Sequence, residues 1–513
     1  MKKTAFVVMI ITIISKFIGL AREVSLSYVY GVSAITDAFL ISQTIPLTLF
    51  AFISAGIATG YIPIYSRVQC ENGKSNAERL TCNIINSLLI MAAIIVVIVL
   101  VFTQQIVKFF ASGFSGETLQ LAVNFTRITV FGVYFIAVTN IFAEYLRLHE
   151  IYLIPAMVGF PMNFIIISSL FISAKTNIYV IAFGSLLAIA SQLMVFIPFL
   201  RRTGYQHKMI VDLRDESLKE MLFIALPVIL GTSVNEINVL VDRTLASMIA
   251  VGGISALNYA KRLNGFVQGL VVVSLTSVMF PMISKMAAAD NIKGLKRTVN
   301  EAMASMSLLI VPATVGAIVF AEEIVALLFG RGAFTTDAVS MTSNALFYYS
   351  IGMIAFGLRD VLSRAFYALQ DSKTPMINAT IGVLLNVVLN IILSRYLGIG
   401  GLALATSISA IVVVVLLFIS LRKRIGGLGL SDLSKAFIKI GLASVIMGVI
   451  ARSGFNYMKQ SLGQNLALIV TIGIGVVIYC ILIYFMRIPV VDQTIAAVRR
   501  RLSARYDAGG QSD

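Results

Sequence analysis

Ionisable side chains stand inside several apolar segments of this sequence that are long enough to cross a bilayer. The basic ones in the first and eighth segments are Lys16, Arg22, Lys261 and Arg262. A charge at the centre of such a segment costs about 2.5–3.5 kcal/mol on insertion scales. Because basic residues outnumber acidic ones here, the pattern favours a polar cavity that binds an anion. The alternative is buried ion pairs, with Arg22–Glu23 and Asp242–Arg243 as the candidates.

A second group of side chains offers oxygen atoms. Asn386 and Asn390 are spaced i, i+4 and so share one face of a helix, and Thr406 follows the glycine-rich stretch 398–401. With Asp242 they would supply a carboxylate, two amides and a hydroxyl, a set that suits a hard cation such as Na⁺ better than a transition metal. The alternative is hydrogen bonding between helices by the asparagines.

The composition places these groups in a membrane protein. Of the 513 residues, 58% are hydrophobic and 12% are charged, and apolar runs of about 20 residues, the length that crosses a bilayer, recur about fourteen times. The net charge of +16 is spread over short loops, which argues against nucleic-acid binding. Basic residues collect in loops after even-numbered segments, so we expect both termini in the cytoplasm.

The chain also repeats itself. The segment 102–107, FTQQIV, resembles 320–325, FAEEIV. The segment 63–67 resembles 281–285 in the same way, and both pairs are separated by 218 positions. Six membrane helices fit in that period, which predicts two parallel six-helix halves around a central cavity. We therefore expect an N-terminal lobe at 1–205, a C-terminal lobe at 206–425 and two extra helices at 426–486. The remainder, 487–513, has the pattern of a basic amphipathic helix on anionic lipid or of a stop-transfer cluster.

Four motifs carry a resemblance to a known family. They are Gly19–Glu23, Thr36–Phe39, Asn258–Leu263 and Phe366–Pro375. In this order and spacing they resemble the MurJ (MviN) family of lipid II flippases, within the superfamily of multidrug, oligosaccharidyl-lipid and polysaccharide exporters. The resemblance implies fourteen helices, a cavity between helices 1–6 and 7–12, and a groove at helices 13 and 14 for a prenyl tail.

The resemblance also implies site residues. Those expected at the substrate are Lys16, Arg22, Glu23, Asp37, Ser255 and Arg262. Those expected at a sodium ion are Asp242, Asn386, Asn390, the backbone carbonyl of Leu402, and Thr406. Four positions depart from the family pattern. Phe50 stands where a cavity arginine is expected and Lys16 where an arginine is usual, while Glu23 and Asn390 each replace an aspartate.

The expected activity is transport of lipid II, the undecaprenyl-pyrophosphate-linked peptidoglycan precursor, from the inner to the outer leaflet of the bacterial inner membrane. The expected partners are lipid II, membrane lipids and other cell-wall synthesis proteins. Alternatives within the superfamily are export of another polyprenyl-linked glycan and drug/cation antiport, although an antiporter for cationic drugs should line its cavity with acids. A membrane glycosyl or phosphoglycosyl transferase would need a carboxylate pair or metal-binding Asp cluster, and we find neither; we expect no enzyme activity and no transition metal.

Overall fold

Every regular element that the structure describes is an α-helix. The structure is a computed structural model that describes residues 2–427, 430–488 and 491–492. Residues 493–513, most of the predicted amphipathic tail, lie outside the described residues. The helices are α1 (Lys2–Tyr30), α2 (Ala34–Asn72), α3 (Lys74–Val101), α4 (Thr103–Phe110), α5 (Gly116–Thr129), α6 (Gly132–Leu148), α7 (Leu153–Met157), α8 (Gly159–Ser173), α9 (Val180–Arg202), α10 (Glu216–Ile249), α11 (Gly253–Ala288), α12 (Ile292–Val319), α13 (Ala321–Phe329), α14 (Thr336–Ile351), α15 (Met353–Ala368), α16 (Lys373–Leu397), α17 (Ile399–Ile425), α18 (Leu430–Leu462) and α19 (Gln464–Phe485).

Many of these helices are long and apolar enough to cross a membrane. Within the described residues nine qualify, or eleven if each of two bent helix pairs counts as one span. The helices α1, α10 and α11 are outside that count, although they contain 29, 34 and 36 residues. The predicted all-α, multi-pass membrane fold is therefore confirmed, while the number fourteen stays a prediction.

The internal repeat is visible in the backbone. The helices α3 and α12 begin at residues 74 and 292 and each contain 28 residues. Each ends at a phenylalanine with nearly the same dihedral angles: Phe102 has φ −106° and ψ 26°, and Phe320 has φ −119° and ψ 26°. The pair α5 and α6 is bent by 45°, and the pair α14 and α15 by 42°. The repeated sequence segments therefore fold alike.

The chain divides into two compact units. The first comprises 1–259, 328–341 and 390–394, and the second comprises 260–327, 342–389 and 395–513. The core of the first contains a cluster of fully buried tyrosines, Tyr61, Tyr65 and Tyr145. The core of the second is built from α11, α12, α15 and α17. The domain boundaries predicted above follow the sequence repeat rather than packing, and they stay a prediction.

Asp371, in the motif 366–375, caps the start of α16 on the predicted cytoplasmic side. Its carboxylate accepts hydrogen bonds from the Thr374 amide at 3.0 Å and the Thr374 hydroxyl at 2.8 Å, and Arg424 donates to it at 3.1 Å. The backbone hydrogen bond from Thr374 is the largest cause of a lowered Asp371 pKa. The motif therefore includes a helix cap.

Asp371→Ala should lower the free energy of unfolding by about 1 kcal/mol, as loss of a cap does. Because the folded pKa lies below the ordinary 3.8, this contribution is present above about pH 4 and is lost as the pH falls through the folded pKa. Thermal unfolding of the purified protein at neutral pH measures it. The control is Glu71→Ala at an exposed carboxylate of α2, and equal melting of the two variants would contradict the cap.

Candidate functional site

Asp37 is one of the residues predicted at the substrate site. Its carboxylate is buried in the first unit, where it is bonded to backbone amides. Its side chain is 1% exposed. Its two oxygens accept hydrogen bonds from the amides of Gly252 at 2.8 Å and Ser255 at 2.7 Å, at the start of α11. The Ser255 hydroxyl donates to the Gly252 carbonyl at 2.9 Å. Asp37 thus caps α11 from a different helix, α2, and its negative charge lies at the positive end of the α11 dipole.

Glu23 forms a second buried carboxylate contact in the same unit. Its carboxylate accepts hydrogen bonds from the Arg22 guanidinium at 2.7 Å and from the side-chain amide of Asn258 at 3.3 Å. The Arg22 side chain is 18% exposed and that of Glu23 is 4% exposed. Arg22 and Glu23 therefore form an ion pair whose carboxylate is buried and whose guanidinium is partly exposed, and the binding of an anion by Arg22 stays a prediction. The contact joins α1 to α11, because Asn258 lies on α11.

The backbone around these carboxylates packs closely. Gly31 has φ +60°, and a Cβ atom there would lie 2.2 Å from the carbonyl oxygen of Ala333. The Ala333 amide donates to the Tyr28 carbonyl at 2.9 Å, and the Tyr259 hydroxyl donates to the Gly31 carbonyl at 3.3 Å. Only glycine fits at position 31 without displacing the backbone. The end of α1 and the predicted outer loop that follows it therefore pack against the loop before α14, and the Tyr259 hydrogen bond joins Gly31 to α11.

The predicted cations lie in different surroundings. Lys16 is half-buried on α1, and it makes no hydrogen bond or ion pair with the residues that the structure describes. Arg262 is exposed, close to the start of the second unit. Phe50, where the family pattern has an arginine, is 1% exposed inside the core of the first unit. The side chain at position 50 therefore faces packed protein.

The predicted sodium ligands make two sets of contacts. In the first unit, Asp242 is 4% exposed and accepts a hydrogen bond from the Asn390 amide at 2.7 Å. In the second unit, the Asn386 amide donates to the Thr406 hydroxyl at 3.3 Å, and Thr406 donates to the Leu402 carbonyl at 3.0 Å. The asparagines thus bond to neighbouring helices, as the alternative reading expected. Oxygen and amide groups alone make up both sets, which is the donor chemistry that fits a hard cation.

The sequence reading missed two participants of this site. Asn258 opens the motif 258–263, but its amide contact with Glu23 was not foreseen. Gly252 contributes only its backbone amide, which donates a hydrogen bond to Asp37, and the glycine itself, with φ +82° in the structure, is the one feature of the sequence that marks the position. Ser255 was predicted as a functional residue, yet it contacts Asp37 through its amide. Roles of Glu23, Asp37 and Ser255 in contacting substrate therefore stay predictions.

Comparison with known proteins finds relatives across almost the whole chain. The family model described as "Lipid II flippase MurJ" matches residues 26–487. The "Lipid II flippase MurJ" of Burkholderia cenocepacia is 27% identical over 507 residues, which cover 96% of this chain and 97% of the relative. The "Probable lipid II flippase MurJ" of Thermotoga maritima is 27% identical over 94% of this chain and 96% of its own length.

Solved structures give the same result. A structure described as "Lipid II flippase MurJ, inward closed conformation" superposes with a TM-score of 0.81 at 28% identity, covering 94% of this chain and 99% of that one. An inward-facing transporter of the MATE family, in the MOP superfamily, superposes with a TM-score of 0.70 at 18% identity over 83% of this chain and 98% of its own, a likeness of fold alone. The family match over residues 26–487 shows that this protein belongs to the MurJ lipid II flippase family.

Proposed function

We propose that the protein moves lipid II from the inner to the outer leaflet of the bacterial inner membrane by alternating access. The observation that carries this proposal is the match to the lipid II flippase family over residues 26–487. The intramembrane cations Lys16, Arg22 and Arg262 support it, because the pyrophosphate of lipid II is an anion. The termini would lie in the cytoplasm, as the distribution of basic loops favours.

In this mechanism the cations neutralise the head group while the prenyl chain stays in lipid. One cation about 4 Å from a phosphate gains on the order of 4 kcal/mol at an effective dielectric constant of 20. Desolvation offsets part of that gain, so several cations must act together. Outward movement of negative charge is favoured by an inside-negative potential, by about 2.3 kcal/mol per charge per 100 mV.

The buried carboxylates would act at the outer end. Asp37 and Glu23 join α2 and α1 to the start of α11 through three hydrogen bonds. Release of a head group to the outside requires these helix ends to separate, so the bonds must break in each cycle. A hydrogen bond to a charged group contributes about 1.5–3 kcal/mol. Asp37 and Glu23 would therefore stabilise the state that is closed to the outside.

The direct test uses cells in which this protein is the only flippase. Lipid II exposed on the outer leaflet is cleaved by a lytic toxin that acts from outside, and the cleaved product is measured. We expect cleavage in cells that produce the protein and none after its depletion. Absence of cleavage despite normal membrane insertion of the protein would overturn the proposed function.

We further propose that Asp242 and Asn390 bind Na⁺ through their side-chain oxygens. The substitution Asn390→Asp tests this proposal. A bound cation would neutralise the Asp242 carboxylate, which now accepts a hydrogen bond from Asn390. A second carboxylate raises the negative charge of the site, so we expect Na⁺ affinity to rise about tenfold or more. Titration of the purified protein with NaCl against choline chloride, read by thermal stability, measures the affinity. The same response to both salts in the wild type and in Asn390→Asp would contradict a sodium site.

A further inference from the structure

The helix α15 of the second unit has two chemically different faces. One face carries Val361, Leu362, Ala365 and Phe366, all at most 3% exposed within the core of that unit. Around the helix from them, Arg359, Ser363 and Tyr367 follow one another at i, i+4 and i+8, and so form one stripe. Arg359 and Tyr367 are exposed and Ser363 is half-buried. We call these three residues the α15 polar stripe.

The position of Arg359 in the membrane makes this stripe costly in lipid. The helices α14 and α15 together form one bent candidate span. Arg359 stands nine residues before Ala368, the last residue of α15, which corresponds to about 14 Å along the axis. Side chains on a helix lean toward its N-terminus, so the guanidinium leans away from the nearer end and from the head groups there. A cation at that depth must face water or an anion.

The adjacent Asp360 is the carboxylate that attracts Arg359 electrostatically, but the two form no ion pair within the described residues. Asp360 pairs with Arg364 at 3.1 Å, and Arg364 also lies over the Phe280 ring at 5.4 Å. The Arg359 guanidinium lies over the Phe356 ring, 5.4 Å from its centroid, and within the described chain it makes no ion pair. The five N–H donors of this guanidinium are therefore available to a ligand.

We propose that the α15 polar stripe is a substrate contact within the second unit, in which Arg359 binds a phosphate of the lipid-linked head group. This inference rests on the proposed function. A guanidinium binds phosphate oxygens in a bidentate manner, and the hydroxyls of Ser363 and Tyr367 donate hydrogen bonds to the same kind of anion. The stripe adds a cation to the second unit besides Arg262, in a chain whose position 50 provides none.

The first experiment asks whether the stripe faces water. Arg359→Cys and Ser363→Cys are made in a protein whose Cys70, Cys82 and Cys480 are replaced by serine, and are treated with a charged, membrane-impermeant methanethiosulfonate applied to either side. The control is Leu384→Cys on α16, because Leu384 is 64% exposed and apolar. We expect both stripe positions to react at least about tenfold faster than position 384, since thiolate chemistry requires water. Equal, slow reaction at all three positions would overturn the inference.

The second experiment measures binding of purified lipid II to the protein in nanodiscs. Arg359→Gln should weaken binding about tenfold, the effect of one charge-assisted contact, whereas Arg359→Lys keeps the charge and should retain most of the affinity. Arg395→Gln, at an exposed arginine in the last turn of α16, is the matched control and should bind as the wild type does. Unchanged binding by Arg359→Gln would refute the role of Arg359. The proposed function would still stand if the wild type exposes lipid II to the external toxin, so the two failures are distinguishable.

Discussion

Asp37→Ala should abolish rescue of cells depleted of their native flippase. The substitution leaves the amides of Gly252 and Ser255 without their acceptor in a site where Asp37 is 1% exposed. Each buried unsatisfied amide costs about 1–3 kcal/mol, so the closed outer end should lose about 2–6 kcal/mol. Growth rescue and the thermal stability of the purified protein measure the two consequences. Asp37→Asn keeps one oxygen acceptor and should lie between the wild type and Asp37→Ala.

The matched control for Asp37 is another cap at the same end of α2. The Ser33 hydroxyl accepts a hydrogen bond from the Thr36 amide at 3.3 Å, and Ser33→Ala should cost about 1 kcal/mol and preserve rescue. If Asp37→Ala rescued growth and melted like the wild type, the contact between α2 and α11 would have no part in transport.

Arg22→Ala should also abolish rescue, and the double variant Arg22→Ala/Glu23→Gln separates its two causes. Arg22 neutralises the buried Glu23 at 2.7 Å, and it is also expected to bind pyrophosphate. Removing one partner of a buried pair costs about 3–5 kcal/mol because a charge is left uncompensated. The glutamine in the double variant carries no charge, so thermal stability should return toward that of the wild type while rescue does not.

The outcome of the double variant decides the role of Arg22. Recovered stability without recovered growth means that the guanidinium is needed for transport itself. Recovery of both would mean that Arg22 serves only to neutralise Glu23, and the proposed cation set would then be reduced to Lys16 and Arg262. The single variant Glu23→Gln is the control, since it removes the carboxylate and leaves the arginine available to substrate.

The helices could be predicted well from the sequence, because membrane-spanning helices appear as apolar runs and their duplication appears as a repeat at a constant spacing. Apolar runs and the repeat of 102–107 at 320–325 predicted helices whose starting residues now match at the same spacing. The positions of the charged residues were equally visible. The partners of these charged residues were harder to predict. Asp37 binds backbone amides, which have no sequence signature, and Asn258 contacts Glu23 across 235 positions.

The residue types alone also left opposite readings open. Arg22 beside Glu23 fits both an ion pair and an anion site. The 2.7 Å contact shows the ion pair, and the double variant tests the anion site. The α15 polar stripe could not be predicted, because Arg359 is one of three charged residues in α15 and is set apart from Asp360 and Arg364 only by tertiary contacts. Phe50 could be recognised as a departure from the family pattern, but its burial in the core depends on tertiary packing.

The equal lengths of α3 and α12 bear on which sequence changes this protein can tolerate. Both contain 28 residues and end at the phenylalanine where the following short helix begins. Adding one residue to an α-helix turns everything after it by about 100° and advances it by about 1.5 Å. Insertion of one residue in α3 or α12 would therefore rotate the short helix that follows, α4 or α13, away from its packing partners. Most substitutions on the lipid-facing side would leave that orientation unchanged. We therefore expect these two helices to tolerate a change in residue number less well than a substitution on their lipid-facing sides.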